Sequence, residues 1–208
     1  MPAVDQFGQP VARDRAYRFG RLISQIFHPI INGFASFLLI GAASPDLPSA
    51  RYGLGWAAAC VMTLIIPPTC YFYFRLFRGD FSDDDISRRS ERNGLYVTAL
   101  ASTIAGSGVL SLLGVPGVFL RFMAAAVGVT AVCMVINFRW KISVHSASIA
   151  TLSTLATLMV QSLAVVLWMC ALVVGWARIR TGNHTPLQVV AGWSVAVVGV
   201  ILAFQLGR

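Results

Sequence analysis

The chain has 208 residues, of which 57% are hydrophobic and 12% charged, with a mean hydropathy of +0.73. A soluble domain carries about 25% charged residues, so this composition excludes an ordinary soluble globule and describes an integral membrane protein. The net charge of +8 comes without the basic and aromatic interleaving that binds nucleic acid, and reads as arginines gathered at one membrane face beside anionic headgroups.

A spanning helix needs about 20 apolar residues, and seven runs are candidates. Residues 1–21 form a polar N-terminal segment. The first run, Leu22 to Ala43, is expected to bend at Pro29, and it is too long and too late for a signal peptide. The second, Leu54 to Phe74, contains Pro67 and Pro68. The third, Leu95 to Leu113, closes on Gly114-Val115-Pro116-Gly117, a tight turn. The fourth is Val118 to Asn137, the fifth Ser143 to Val160, the sixth Ser162 to Trp176 and the seventh Pro186 to Phe204. Neither Gly nor Pro marks a break near Gln161. Without one, the fifth and sixth runs would merge into a helix too long for a bilayer, so a turn is expected there. Residues 22–208 are thus expected to form one all-α polytopic bundle of about seven spans.

Cys60, Cys70, Cys133 and Cys170 all lie inside apolar runs without metal-type spacing, and read as small buried hydrophobes. Small residues crowd the third to fifth runs, where they let membrane helices approach closely. The hydroxyls of the fifth run either line a polar cavity or bond back to their own helix.

The N-terminal segment and the links after the second, fourth and sixth runs share one side. They hold thirteen of the sixteen basic residues (Arg13, Arg15, Arg18, Arg21; Arg75, Arg78, Arg88, Arg89, Arg92; Arg139, Lys141; Arg178, Arg180). The positive-inside rule places that side in the cytoplasm, expected here to be that of a bacterium. The three histidines, His28, His145 and His184, fall on the same side. Ionisable groups at membrane depth tend to mark function.

The link from Trp176 to Trp193 concentrates polar chemistry. Arg178 ends one helix, Gly182 turns the chain, and Pro186 suits the first turn of the next helix. A fixed cation, an imidazole and a helix N-terminus suit a phosphate group. The alternative is that Arg178 and Arg180 are anchors and His184 an interfacial cap.

Arg178-x5-His184-x3-Gln188-Val189-x2-Gly192 resembles the third signature of the type 2 phosphatidic acid phosphatase (PAP2) superfamily, Ser-Arg-x5-His-x3-Asp-Val-x2-Gly. Ile142-Ser143-Val144-His145 resembles the second, Pro-Ser-Gly-His, and Asp85-x6-Arg92-Asn93 stands where the first, Lys-x6-Arg-Pro, belongs. The resemblance covers residues 78 to 206. Ala177, Ile142, Val144, Asp85 and Gln188 depart from the pattern.

The resemblance implies a PAP2-like helical core and hydrolysis of a lipid phosphomonoester or diphosphate, such as phosphatidic acid, phosphatidylglycerophosphate or a polyprenyl phosphate. In it His184 is the nucleophile and forms a phosphohistidine. His145 is the acid and then the base. Gln188 takes the place of the aspartate that orients the nucleophile. Arg178 and Arg92 bind phosphoryl oxygens, with the Ser143 hydroxyl and the backbone around Val144 adding donors. The scheme requires no metal and no cofactor, and its partners are the lipid substrate and the bilayer.

Because Gln188 is neutral, a catalytically silent membrane subunit or lipid-binding protein is a second reading. A third comes from the acidic run at Asp80 to Asp85, which is either a solvated loop balancing nearby arginines or a magnesium site as in UbiA-like prenyltransferases. His28 either reaches the site from the first helix or bonds a neighbouring carbonyl; the latter is expected.

Overall fold

The computed structural model describes residues 5, 7, 9–81, 86 and 88–206. The expected first run is two helices. α1 (Arg15–Ile26) starts on Asp14, whose carboxylate accepts the Tyr17 N–H at 2.8 Å. α2 (Pro29–Ala43) starts afresh on His28, whose Nδ1 accepts the Ile30 N–H at 3.3 Å. Proline has no N–H to continue a helix and its ring crowds the preceding turn, yet it fits a first turn well. The chain therefore breaks rather than merely bending, and α1 meets α2 at 43°.

Helix runs unbroken from Ala50 to Phe77 as α3 (Ala50–Cys60), a π-turn (Val61–Ile65) and α4 (Ile66–Phe77). Pro67 and Pro68 cause the irregularity, since neither can donate to the carbonyl four residues back. The Thr63 carbonyl, which Pro67 would have served, accepts instead from Ser102 Oγ of the neighbouring helix at 3.1 Å. Two residues past Pro67, Thr69 Oγ1 donates to the Ile65 carbonyl at 2.7 Å.

A short 3-10 turn (Arg89–Arg92) leads into α5 (Asn93–Leu112), followed by α6 (Gly117–Asn137), α7 (Val144–Met159), α8 (Gln161–Arg180) and α9 (Pro186–Leu206). The break near Gln161 is present and consists of Val160 alone. Trp168 Nε1 donates to Thr157 Oγ1 at 3.1 Å across it.

Among the described residues, five helices are long and apolar enough to cross a membrane, six if the bent α1–α2 pair counts as one span. Of the seven expected runs, α7 is the one that falls below that length. At 16 residues and 1.5 Å per residue, α7 is about 24 Å long, short of the roughly 30 Å hydrocarbon layer. Protein surrounds it instead: α2, α8 and α9 pack on it, and Ser146, Ile149, Ala150, Ser153, Leu155 and Ala156 are fully buried. Its hydroxyls mostly bond back, with Ser153, Thr154 and Thr157 donating to carbonyls four residues earlier. The outer helices carry their bulk outward, as at Val97, Ile104, Leu112, Val165 and Met169, as suits an integral multi-pass membrane protein.

Close approach of α9 to α7 depends on Gly192. A Cβ there would stand 2.6 Å from the Ser143 carbonyl and 3.2 Å from the Ala147 nitrogen. At the other end of the bundle, Arg121 at the start of α6 pairs with Asp46 of the α2–α3 link.

Candidate functional site

Three stretches far apart in sequence meet at one end of the bundle. They are the 3-10 turn before α5, the α6–α7 link with the first turn of α7, and the α8–α9 link. Asn137, the last residue of α6, ties the first two together by donating Nδ2 to the Arg89 carbonyl and to Asn93 Oδ1, both at 3.2 Å.

Arg92 is buried. Its Nε donates to the Ile86 carbonyl at 2.8 Å and its Nη1 to the Ile142 carbonyl at 3.2 Å. Backbone acceptors on both sides thus hold the guanidinium plane. Ile86 adopts a left-handed conformation with φ 45, a strained state for a β-branched residue that costs about 1–3 kcal/mol. It points its carbonyl at Arg92 while its side chain packs with Phe72 and Phe81.

Ser143 caps α7. Its Oγ accepts the Ser146 N–H at 3.3 Å and the Ser146 hydroxyl at 2.9 Å. Its backbone N–H donates to the Gln188 carbonyl at 3.3 Å, so the packing at Gly192 also joins the second and third stretches. Val144 and His145 follow in the first turn of α7.

α8 runs on past Trp176, and Arg178 lies in its last turn with no exposed surface. A cation is favoured there by the helix dipole. Gly182, at φ 74, then turns the chain so that the His184 N–H reaches the Arg178 carbonyl at 3.1 Å. Ala177, the residue before Arg178, lies under Gly20 of α1. Asp14 pairs with Arg180 at 2.6 Å, so α1 closes over this end.

His184 is 3% exposed, and its Nδ1 lies 3.1 Å from Gln188 Oε1. The Thr185 N–H donates to the same oxygen at 3.2 Å. Thr185 needs an acceptor, so the amide oxygen faces this corner. An oxygen there can only accept, so the ring hydrogen sits on Nδ1 and Nε2 keeps its lone pair. Burial pushes the pKa of His184 well below the ordinary 6.5. Arg92, Arg178 and Lys141 push it further, and the Gln188 bond pulls back only in part. The ring is therefore neutral at physiological pH, with three cations close enough to act on it.

A cavity of about 310 Å³ opens at this corner and runs into the bundle. Its polar end carries Arg92, Val144, His145, His184 and His28; its apolar end reaches Phe37, Leu64 and Phe122. Ser143, Arg178 and Gln188 stand behind that wall. A neutral nucleophile, a second imidazole and converging cations can bind an anion and attack it. The apolar cavity can hold a hydrocarbon chain attached to that anion.

Sequence reasoning assembled His184, His145, Gln188, Arg178, Arg92, Ser143 and Val144, and all seven lie at this end. It took Lys141 only as one basic residue of a face. Lys141 is nonetheless buried and acts on His184; its place two residues before Ser143 was the available signal. It also expected His28 to spend itself on a nearby carbonyl. Its Nδ1 caps α2, and the ring lines the cavity 5.5 Å from that of His145. In the acidic run, Asp80 pairs with Arg75 at 2.6 Å, while Asp83 to Asp85 lie outside the described residues.

Comparison with family models, with curated proteins and with solved structures returned no match.

Proposed function

We propose that this chain is a membrane-embedded lipid phosphatase related to the type 2 phosphatidic acid phosphatases. One observation carries the reading. The buried, neutral His184 gives its Nδ1 hydrogen to Gln188 and keeps the Nε2 lone pair, beside Arg92, Arg178 and Lys141, at the polar end of an apolar cavity.

The lipid chain enters the cavity and its phosphate lies among the cations. His184 Nε2 attacks phosphorus, forming a P–N bond as the bond to the lipid oxygen breaks. His145 gives that oxygen a proton. Water then attacks the phosphohistidine, His145 takes the water's proton, and the P–N bond breaks to release inorganic phosphate. The arginines offset the charge that gathers on the phosphoryl oxygens. Gln188 Oε1 fixes the tautomer throughout but offers no full charge to the imidazolium-like state. With the bent pair and α7 each counted as a crossing, the chain passes the membrane seven times, and the arginine-rich end faces the cytoplasm of a bacterium.

The test is phosphate release by the detergent-purified protein in EDTA, on phosphatidic acid, phosphatidylglycerophosphate and polyprenyl phosphates and diphosphates. His184→Ala runs beside it. Release that vanishes in the variant is expected. Release that survives it would sink the mechanism, and a requirement for magnesium would favour the prenyltransferase reading. A cysteine placed at Thr185 should react with impermeant reagents from the cytoplasmic side alone.

The neutral Gln188 favours one second reading, a silent lipid-binding subunit. A large gain in rate in Gln188→Asp would mark decayed chemistry, and an unchanged rate a site that already works.

A further inference from the structure

His28 belongs to the N-terminal helix pair, outside the stretch that carries the phosphatase signatures. Its ring nevertheless sits between two others. Phe72 of α4 lies on one side, with centroids 5.8 Å apart and planes at 46°. His145 lies on the other, 5.5 Å away at 88°, so one imidazole meets the other edge to face. The bond from the Ile30 N–H needs a lone pair on Nδ1, which places the hydrogen of the neutral His28 ring on Nε2. Nitrogen identity, ring plane and position are all determined.

A second link holds the same helices in register. Asn32, one turn after His28, donates Nδ2 to Ser148 Oγ at 2.9 Å, and Ser148 Oγ donates to the His145 carbonyl at 3.0 Å. α2 therefore grips the first turn of α7 through the backbone of His145 as well as through its ring. Capping α2 requires neither contact; a serine or an asparagine caps as well or better.

We infer that His28 is a positioning residue for His145: its ring, locked by the α2 cap and Phe72, holds the His145 imidazole in the orientation that serves the cavity. The inference rests on the phosphatase reading for its purpose, though the coupling of the two rings stands apart from it. The other ionisable side chains along the cavity wall are Arg92, Tyr96 of α5, Cys133 of α6 and His184. Lys141 and Arg178 act on His184 from behind the wall. Among the described residues, α4 contributes Pro68, Thr69 and Phe72 to the lining, and the π-turn before it Leu64 and Ile65.

His28→Asn separates the two roles. Asparagine accepts from the N2 amide and preserves the cap but has no ring to set against His145. The full chain, labelled with isotopic histidine and purified in detergent, is titrated by NMR, and the kcat and KM for phosphate release are followed against pH. In the variant, the His145 resonance should titrate at a different pH. The kcat should fall about tenfold, less than the hundredfold or more expected for loss of a general acid itself, with its acidic limb displaced and KM unchanged. An unaltered His145 titration in a folded variant overturns the inference and leaves His28 as a cap. Should His28→Asn fail to fold, His28→Ser, another capping side chain, takes its place under the same criteria. If the wild type releases no phosphate from any lipid, the phosphatase reading fails, and the NMR titration alone decides between coupled and independent rings.

Discussion

The Ser143 carbonyl lies 2.6 Å from the point where a Cβ on Gly192 would stand. The atom in the way is backbone, which a rotamer change cannot move. Gly192→Ala must therefore push α9 away from the start of α7, and with it the Gln188 carbonyl that accepts from Ser143. The expected cost is about 1–3 kcal/mol, typical of overpacking. It should read out as a lowered thermal midpoint and a larger proportional loss of phosphate release. A variant as stable and active as the wild type would contradict the packing described.

Gln188→Leu keeps the volume of the side chain and removes the acceptor. It strands the Thr185 N–H and the His184 Nδ1–H together in a buried corner, at about 1–3 kcal/mol for each group left unmade. The ring is then free to take the other tautomer, so turnover should fall by more than stability does. Isotope-labelled NMR of His184 should show the hydrogen moving from Nδ1 to a mixture of both nitrogens.

The depressed pKa of His184 sets the sign of a pH effect. In the unfolded chain the ring takes up a proton as pH falls through about 6.5, while in the fold it does not, so the unfolded state binds more protons. The stability that depends on a neutral His184 is complete above that pH and is lost below it, at up to about 1.4 kcal/mol per pH unit. Thermal midpoints measured from pH 8 to pH 5 should fall on the acidic side, and His184→Gln should flatten that fall.

Ser102→Ala removes the donor that serves the Thr63 carbonyl across from Pro67. A loss of about 0.6–1.5 kcal/mol is expected, the usual range for one such bond in a membrane helix pair. Unfolding in graded denaturing detergent measures it. Restoring a backbone donor in the same background, with Pro67→Ala, should recover part of the loss.

The helical segments were legible because an apolar run and its breakers are local properties. Even the turn at Val160 followed from bilayer thickness alone, with no glycine or proline to mark it. What surrounds α7 was not legible: Leu, Ile, Ala and Val read alike whether their neighbours are lipid or protein, so its burial among α2, α8 and α9 could not be foreseen. The break at Phe27 and His28 was half-read, because Pro29 was seen as bending one helix when it opens a second. At the site, spacing and residue type located His145, Arg178 and His184, whereas roles that depend on distance stayed hidden. Lys141 looked like any interfacial lysine, and Ser143 gives its oxygen to a cap. The tautomer of His184 emerges only once Thr185 and Gln188 are seen to share one oxygen.

The single-residue link at Val160 also bears on how the molecule is made. With nothing but one residue between them, α7 and α8 form a hairpin whose open ends carry His145 and Arg178 on the same side, and after a five-residue link α9 begins. Six of the seven candidate residues thus lie between Ser143 and Gln188, after α1 to α6 in the chain. α7, shorter than α8 and α9, packs on both of them and on α2, which precedes it in the chain. A nascent chain halted before α8 would already hold His28, Arg92 and His145 but neither Arg178 nor His184. The cavity walls contributed by α2, α4, α5 and α6 are therefore synthesised before the link that carries His184.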